Sequence, residues 1–525
     1  MKLSQESLRD AAAWQGYHLP AYDREAMIRR TRERPVWLHF GAGNIFRAFP
    51  AVLAQRLLEA GESDTGVICC EGYDEEIISR CFHPYDDLAV AVTLRPDGDV
   101  LREVVGSVAE SLTLSDAARV EEIFCAPSLQ IVTFTITEKG YALRDGRGEL
   151  LRAAAQDMEN GPVACVSFMG RLTALCLKRY ETCGAPLTLL SMDNCSENGD
   201  RLRDAVLTMA RAWHEKGWVR NDALAYLAQR VAYPWSMIDK ITPRPDGRVA
   251  ARLKADGLEG MEPFVTAKHT YTAAFVNAEG PQYLVVEDCF LNGRPALAHA
   301  GVIFTDRESV GKVEKMKVST CLNPLHTALA VFGCVLGYET IADEMKDPQL
   351  VRLITRMSRE EGMPVVTDPG IIDPEAFLQE VLTVRFPNPF MPDTPQRIAT
   401  DTSQKIAVRF GQTIAAHQAR GTAGELKWIP LVLAGWLRYL LGVDDAGEPF
   451  ALSPDPLLET LREGLSGVTL GGEIDREAVF ALLGNTRIFG ADLAACGLCE
   501  RTAQYLQEMC AAPGAVRMTL EKYLG

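Results

Sequence analysis

The chain has 525 residues, 47% of them hydrophobic and 24% charged, the composition of a folded protein of roughly two to four domains. That excludes a disordered, collagenous or coiled-coil chain. With 54 basic against 70 acidic residues the net charge is −16, a surface that repels phosphate backbones and anionic lipid, so nucleic acid and membranes are poor partners and an anionic small molecule needs a local basic pocket.

The opening MKLSQESLRD lacks the apolar stretch of a secretory signal. No run reaches about 18 uncharged apolar residues. Segments 328–338 and 429–443, the second carrying Arg438, are read as buried helices. A cytoplasmic protein with reduced thiols is the expectation for its 14 cysteines. Cys496 and Cys499 form an isolated CxxC, and the eight histidines show no HExxH spacing, so no metal site is expected.

Residues 1–35 read as a polar helical lead-in. An apolar run at 36–40 stops at Gly41-Ala42-Gly43, and 45–60 carries apolar residues at helical spacing. Further strand candidates are 67–70, ended by Glu71, then 129–136, and 187–192, ended by Asp193-Asn194. Strands alternating with helices predict a parallel sheet covered on both faces. After about residue 300 the texture changes to helical patterns at 324–346, 348–361, 374–384, 401–419, 424–442 and 455–465. The expected architecture is a Rossmann-type α/β domain, 1–303, followed by a mostly α-helical domain, 304–525.

Gly41 and Gly43 lie between a strand and a helix, the context of a pyrophosphate-binding turn, although such turns also occur with no ligand. Gly41 would permit the tight turn and Gly43 the close approach of backbone to phosphate. Asn44 begins the helix, Phe46 replaces the third glycine of GxGxxG, and Arg47 offers positive charge in the first turn. Glu71, or Asp74, would take the ribose hydroxyls. Either disfavours a 2′-phosphate, so NAD is expected over NADP. Glu138 and Lys139 end a strand near the expected nicotinamide.

The densest chemical text runs from Glu314 through Lys317 and Asn323 to His326. Moving a hydride to or from a carbinol carbon requires a group that gives or takes the hydroxyl proton. A lysine can do this, while Asn and His polarise the oxygen. Asn323 and His326, at i and i+3, share a helix face. On one continuous helix Lys317 would face away from them, about 240° round. Asn323-Pro324 instead reads as an N-cap and N1, so that Lys317 ends one helix, Asn323 begins another, and the joint lets them converge.

These residues resemble those of the polyol-specific long-chain dehydrogenases, which include mannitol 2-dehydrogenases and the fructuronate and tagaturonate reductases. The resemblance covers nearly the whole chain. It is carried by His39-Phe-Gly-Ala-Gly-Asn-Ile-Phe-Arg-Ala48, Met192-Asp-Asn-Cys-Ser-Glu-Asn-Gly199, Tyr233-Pro-Trp-Ser-Met-Ile-Asp239, the Lys317 region, and Arg397-Ile-Ala-Thr-Asp-Thr-Ser-Gln-Lys405. It implies a metal-independent, NAD(P)-dependent oxidoreductase with its active site between the two domains. Lys317 falls on the family's catalytic lysine and Glu314 on an acid tied to proton movement. Asn194, Asn323 and His326 fall on the polarising groups, and Asp239, Arg397 and Lys405 on substrate-binding positions.

This chain departs from the family in reading Lys-x5-Asn-Pro-Leu-His where Lys-x4-Asn-Gly-x-His is usual, and in carrying Lys240 where arginine is usual. The substrate implied is a keto-sugar acid of the fructuronate/mannonate type or a ketose. Mannitol or another polyol is the alternative, and a catalytically silent NAD-binding metabolite sensor is an alternative of another class. A carboxylate could be held by Arg397, Lys405 or Lys268. A monomer or small homo-oligomer is expected.

Overall fold

Four short apolar runs, each buried along its whole length, form the centre of a six-stranded parallel sheet. Burial on both faces is why these strands read as continuous apolar runs rather than alternating ones. The strands are β1 (Trp37–Phe40), β2 (Val67–Glu71), β3 (Val108–Thr113), β4 (Ile131–Phe134), β5 (Leu187–Ser191) and β6 (Val231–Ala232), in the order β3-β2-β1-β4-β5-β6. All neighbouring pairs are parallel, and this is the order of a dinucleotide-binding Rossmann sheet.

The computed structural model describes residues 1–391 and 393–525. They divide into two units, Met1–Gly311 and Lys312–Gly525. In the first unit side chains alternate across the sheet. Leu38, Phe40 and Val132 pack on one face with Leu172, Leu202 and Trp213; Trp37, Cys69 and Ile131 pack on the other with Leu53, Leu57 and Phe46. The covering helices are α1 (Asn44–Ala48) and α2 (Pro50–Glu59) on the second face, and α3 (Phe168–Thr182) and α4 (Asn198–Glu215) on the first.

Besides a two-stranded pairing of Phe264–Val265 with Tyr271–Thr272, the first unit also holds two larger sheets that the apolar pattern does not reveal. One joins Tyr17–His18, Val100–Val105, Ala89–Leu94 and Phe275–Glu279; the other joins Ser236–Asp239, Tyr283–Glu287 and Ile303–Thr305. The lead-in expected to be helical therefore contains a strand as well as the helix Arg24–Glu33.

The second unit is helical. The run expected at 324–346 is two helices, α5 (Asn323–Leu336) and α6 (Ile341–Glu344), because Gly337 leaves α5 at φ 77°. Asp347, Asp373 and Asp475 cap later helices through their carboxylates. Helix α7 (Trp428–Tyr439) is buried throughout. The Glu361 carboxylate accepts the Lys427, Trp428 and Ile429 amides at its start, and Arg438 donates to the carbonyls of Met509, Val443 and Asp444. Among the described residues one helical run, Arg307–Leu336, is long and apolar enough to span a bilayer, yet its most apolar stretch is 83% buried.

Glu344, on α6, is fully buried, and neither carboxyl oxygen meets a hydrogen-bond partner among the described residues. It lies against Gly333 and Pro395, where a β-carbon on Gly333 would meet its Oε1 at 2.1 Å. Burial first, then the nearby Asp347 and Asp343, holds this carboxyl well above the usual range, so it folds as the neutral acid. The unfolded chain releases that proton above about pH 4.3. The contribution of this group to stability therefore falls as pH rises toward the folded value. Glu344→Gln removes the dependence. Its urea-unfolding free energy, compared with that of the unmodified chain, should improve steadily from pH 5 to pH 7; a constant difference would contradict a neutral Glu344.

Candidate functional site

The order of the main sheet reverses between β1 and β4, and the chain leaves both strands toward the same crevice. Gly41 donates its amide to Cys70 O at 2.9 Å, and Thr135 donates to Phe40 O at 2.9 Å. Gly41 has φ 106°, and a β-carbon there would lie 2.3 Å from Thr135 O, so only glycine fits. Gly43 is different: a β-carbon on it would meet nothing within 4 Å. It stands at the start of α1 with φ −70°. The turn is closed at its first glycine and open at its second, which suits a pyrophosphate lying along the backbone. The residues present thus fit a dinucleotide.

The residues around the turn have particular partners. Glu71 accepts the Ala42 amide at 2.7 Å through one oxygen, and those of Tyr73 and Asp74 at 2.8 and 3.1 Å through the other. It braces the glycine turn against the end of β2. Asp74 is buried and accepts the Thr266 hydroxyl at 2.6 Å. Phe46 is buried and stacks on His39 at 4.3 Å. Burial pushes His39 down to about 3, so its ring is neutral between the Thr133 and Thr135 hydroxyls. Arg47, expected near phosphate, is 1% exposed instead. It donates to Ala273 O, Thr272 Oγ1 and its turn neighbour Asn44 Oδ1. It ties α1 to the segment at 272–273.

Past β4, exposed Glu138 pairs with Arg201 at 2.6 Å, and Lys139 is exposed beside it. Asp193, at the end of β5, accepts the amides of Ile136 and Thr137 and the Tyr141 hydroxyl, fixing this loop through the φ 65° of Thr137. Its neighbour Asn194 is exposed. Asn198 locks onto Ser236 through both ends of its amide. Asp239 is buried at the end of its strand, Lys240 donates to Glu279 O and Gln282, and Lys268 is exposed over the Tyr73 ring. The grouping of His18, Glu59 and Glu103 is an ion-pair network, since Arg56 donates to both Glu103 oxygens at 2.8 Å.

In the second unit the joint after Lys317 has a definite form. The helix Arg307–Met316 passes into a π-helical turn, Lys317–Cys321, closed by the Leu322 amide on Lys317 O at 3.1 Å. This i→i+5 bond takes up one extra residue without a break. The following helix begins at Asn323, which is its first helical residue; Leu322 occupies the cap and Pro324 follows. Lys317 is 4% exposed, and Glu314, one turn earlier, is half-buried.

Three residues further along α5, the His326 ring is 12% exposed and lies 5.1 Å from the Phe386 ring. Its Nε2 is 3.1 Å from Asp393 Oδ2, an ion-pair distance without hydrogen-bond alignment. Burial, then the charges of Arg409, Arg397, Arg385 and Lys405, hold His326 well below its ordinary range. It is a neutral imidazole in a cationic surrounding. Asp393 also pairs with Arg397, and Lys405 donates to the carbonyls of Thr400 and Ile398. Arg409 donates to the hydroxyl of Thr327, next to His326.

The second unit therefore gathers His326, Arg397 and Lys405, with Asn323 one turn away. Asp393, Arg385 and Arg409 belong to the same group and were not singled out from the sequence. The available signal was periodicity: Asp393 stands four residues before Arg397, and Arg409 four after Lys405.

The profile of the "Mannitol dehydrogenase Rossmann domain" matches residues 36–299, and that of the "Mannitol dehydrogenase C-terminal domain" matches residues 309–510. The chain is 49% identical over 536 aligned residues to the D-mannonate oxidoreductase of Thermotoga maritima, covering 100% of this chain and 99% of that one. It is 30% identical to the D-mannonate oxidoreductase of Escherichia coli, over 88% and 92% of the two chains. Among solved structures it is similar to Pseudomonas fluorescens mannitol 2-dehydrogenase in ternary complex with NAD and D-mannitol, with TM-score 0.74, 26% identity, and 100% and 99% coverage.

Proposed function

The chain belongs to the mannitol dehydrogenase family, and from that premise we propose that this NAD-dependent oxidoreductase interconverts a six-carbon sugar acid of the D-mannonate type and its keto-acid. The observation that carries the choice of substrate is end-to-end identity of 49% with a D-mannonate oxidoreductase. The cationic group around His326 supports it, because an acid substrate needs positive charge that the −16 chain as a whole does not provide.

NAD, when bound, supplies the hydride acceptor. Gly41 and Gly43 form the turn that receives its pyrophosphate, with Asn44 and Phe46 at the start of the helix behind it; Glu71 braces that turn, and Asp74 and Glu138 are assigned to the ribose and nicotinamide ends of the cofactor. In oxidation the carbinol C–H bond breaks as the hydride leaves, the C=O bond forms, and the hydroxyl proton passes to the Lys317 amine. In reduction the ammonium returns it. Glu314 carries the proton onward. Asn194, Asn323 and neutral His326 donate to the reacting oxygen, as an oxyanion hole does. Asp239, Arg397 and Lys405 hold the remainder of the sugar.

NADH oxidation with D-fructuronate, D-tagaturonate and D-fructose tests this reading. D-fructuronate should be the fastest by kcat/KM. A preference for D-fructose would make the chain a neutral-polyol enzyme, the reading favoured by the mannitol complex among its structural relatives. NADH binding with turnover of none of the three would make it a metabolite sensor.

A further inference from the structure

We propose that Arg409 reads the carboxylate of the sugar acid, with Lys405 one turn before it adding a second charge. This rests on the sugar-acid reading above and assigns the group that separates an acid from a neutral polyol.

The argument is one of unbalanced charge. Apart from Arg385, which has partners of its own, three cations act on the buried ring of His326: Arg409, Arg397 and Lys405. Asp393 takes one of them, Arg397, through its Oδ1. Arg409 has no carboxylate partner among the described residues, and its guanidinium is bound by the neutral hydroxyl of Thr327. Lys405 donates only to two backbone carbonyls, those of Thr400 and Ile398. The Arg409 amide bonds Lys405 O at 2.9 Å, so the two side chains leave the same face of one helical turn.

A half-buried guanidinium without a counter-ion is costly unless a ligand completes it. Burial alone pulls Arg409 down to about 10, with no acidic group opposing. Its planar fork matches a carboxylate through two parallel bonds, which the ammonium of Lys405 cannot do. Of the charges acting on the His326 ring, that of Arg409 is the largest, and its guanidinium is bonded to Thr327, the next residue along α5. A sugar whose reacting oxygen is held by His326 thus has its charged end within reach of Arg409. A neutral polyol leaves that charge unmatched and binds more weakly.

The test compares Arg409→Met and Arg409→Lys with the unmodified enzyme on D-fructuronate and D-fructose, with thermal unfolding as the check on folding. Arg409→Met should lose on the order of 100-fold or more in kcat/KM for D-fructuronate, mostly through KM. D-fructose turnover should stay within about threefold. Arg409→Lys keeps the charge and loses the fork, so it should recover part of the loss, to about tenfold below the unmodified enzyme. If the methionine variant does not unfold cooperatively, the lysine variant decides on its D-fructuronate KM. A D-fructuronate KM within threefold of the unmodified value, or an equal loss on both substrates, overturns the assignment. The unmodified enzyme's own preference tests the sugar-acid reading separately: an enzyme that prefers D-fructose sinks that reading whatever the variants do.

Discussion

Lys317→Ala should lower turnover in both directions by on the order of 10²–10⁴-fold, the range for loss of a positioned general acid–base, while leaving NADH binding close to that of the unmodified enzyme. The nucleotide turn and this lysine belong to different compact units, so the two properties should separate. Lys317 is 4% exposed and stands at the first residue of a π-helical turn. That burial sets it apart from the solvated lysine an ordinary helix face carries. Lys317→Arg should be almost as inactive, because a guanidinium stays charged and cannot accept the proton. Steady-state rates with titration of NADH fluorescence check this. An alanine variant retaining a tenth or more of the activity would remove the lysine from the chemistry.

The second large effect separates the two glycines of the turn. Gly41→Ala puts a side chain at φ 106° and drives its β-carbon to 2.3 Å from Thr135 O. Strain of that kind costs on the order of 1–3 kcal/mol, and the overlap with backbone adds to it. This variant should show a clear loss of thermal stability as well as of NADH binding. Gly43→Ala meets nothing within 4 Å and sits at φ −70°. It should fold almost as stably as the unmodified chain, yet bind NADH on the order of 10–100-fold more weakly, since its methyl enters the space left for the pyrophosphate. A Gly43→Ala variant with unchanged NADH affinity would show that the space is not used by the cofactor.

The central strands were legible because burial on both faces leaves an unbroken apolar run, as in β2 and β5. Strand β3 was not, because Glu110 and Ser111 interrupt it, and β6 has only two residues. The hairpin of Ala89–Leu94 and Val100–Val105 had its signal in Pro96-Asp97-Gly98, a turn sequence between two β-branched runs. Side-chain partners were the least legible feature. Two of the three partners of Arg47, Ala273 and Thr272, lie more than 220 residues away, and no local pattern announces them. The bracing of the glycine turn by Glu71 likewise depends on the pairing of β1 with β2.

The extra residue between Lys317 and Asn323 was visible as a spacing that one continuous helix could not satisfy. That it is absorbed as a π-helical turn, with Asn323 inside the helix rather than capping it, required the backbone hydrogen bonds. The cationic group was half legible. Arg397 and Lys405 stood in a recognisable block, whereas Asp393 and Arg409 acquire meaning only when packed beside His326.

Reduction of NAD by D-mannonate, measured beside D-mannitol at equal concentration with the unmodified protein, tests the central claim most directly. NADH should form with D-mannonate at a kcat/KM on the order of 100-fold or more above that for D-mannitol, a discrimination that burying an unmatched cation can supply. Faster NADH formation from D-mannitol, or none from either, would contradict it.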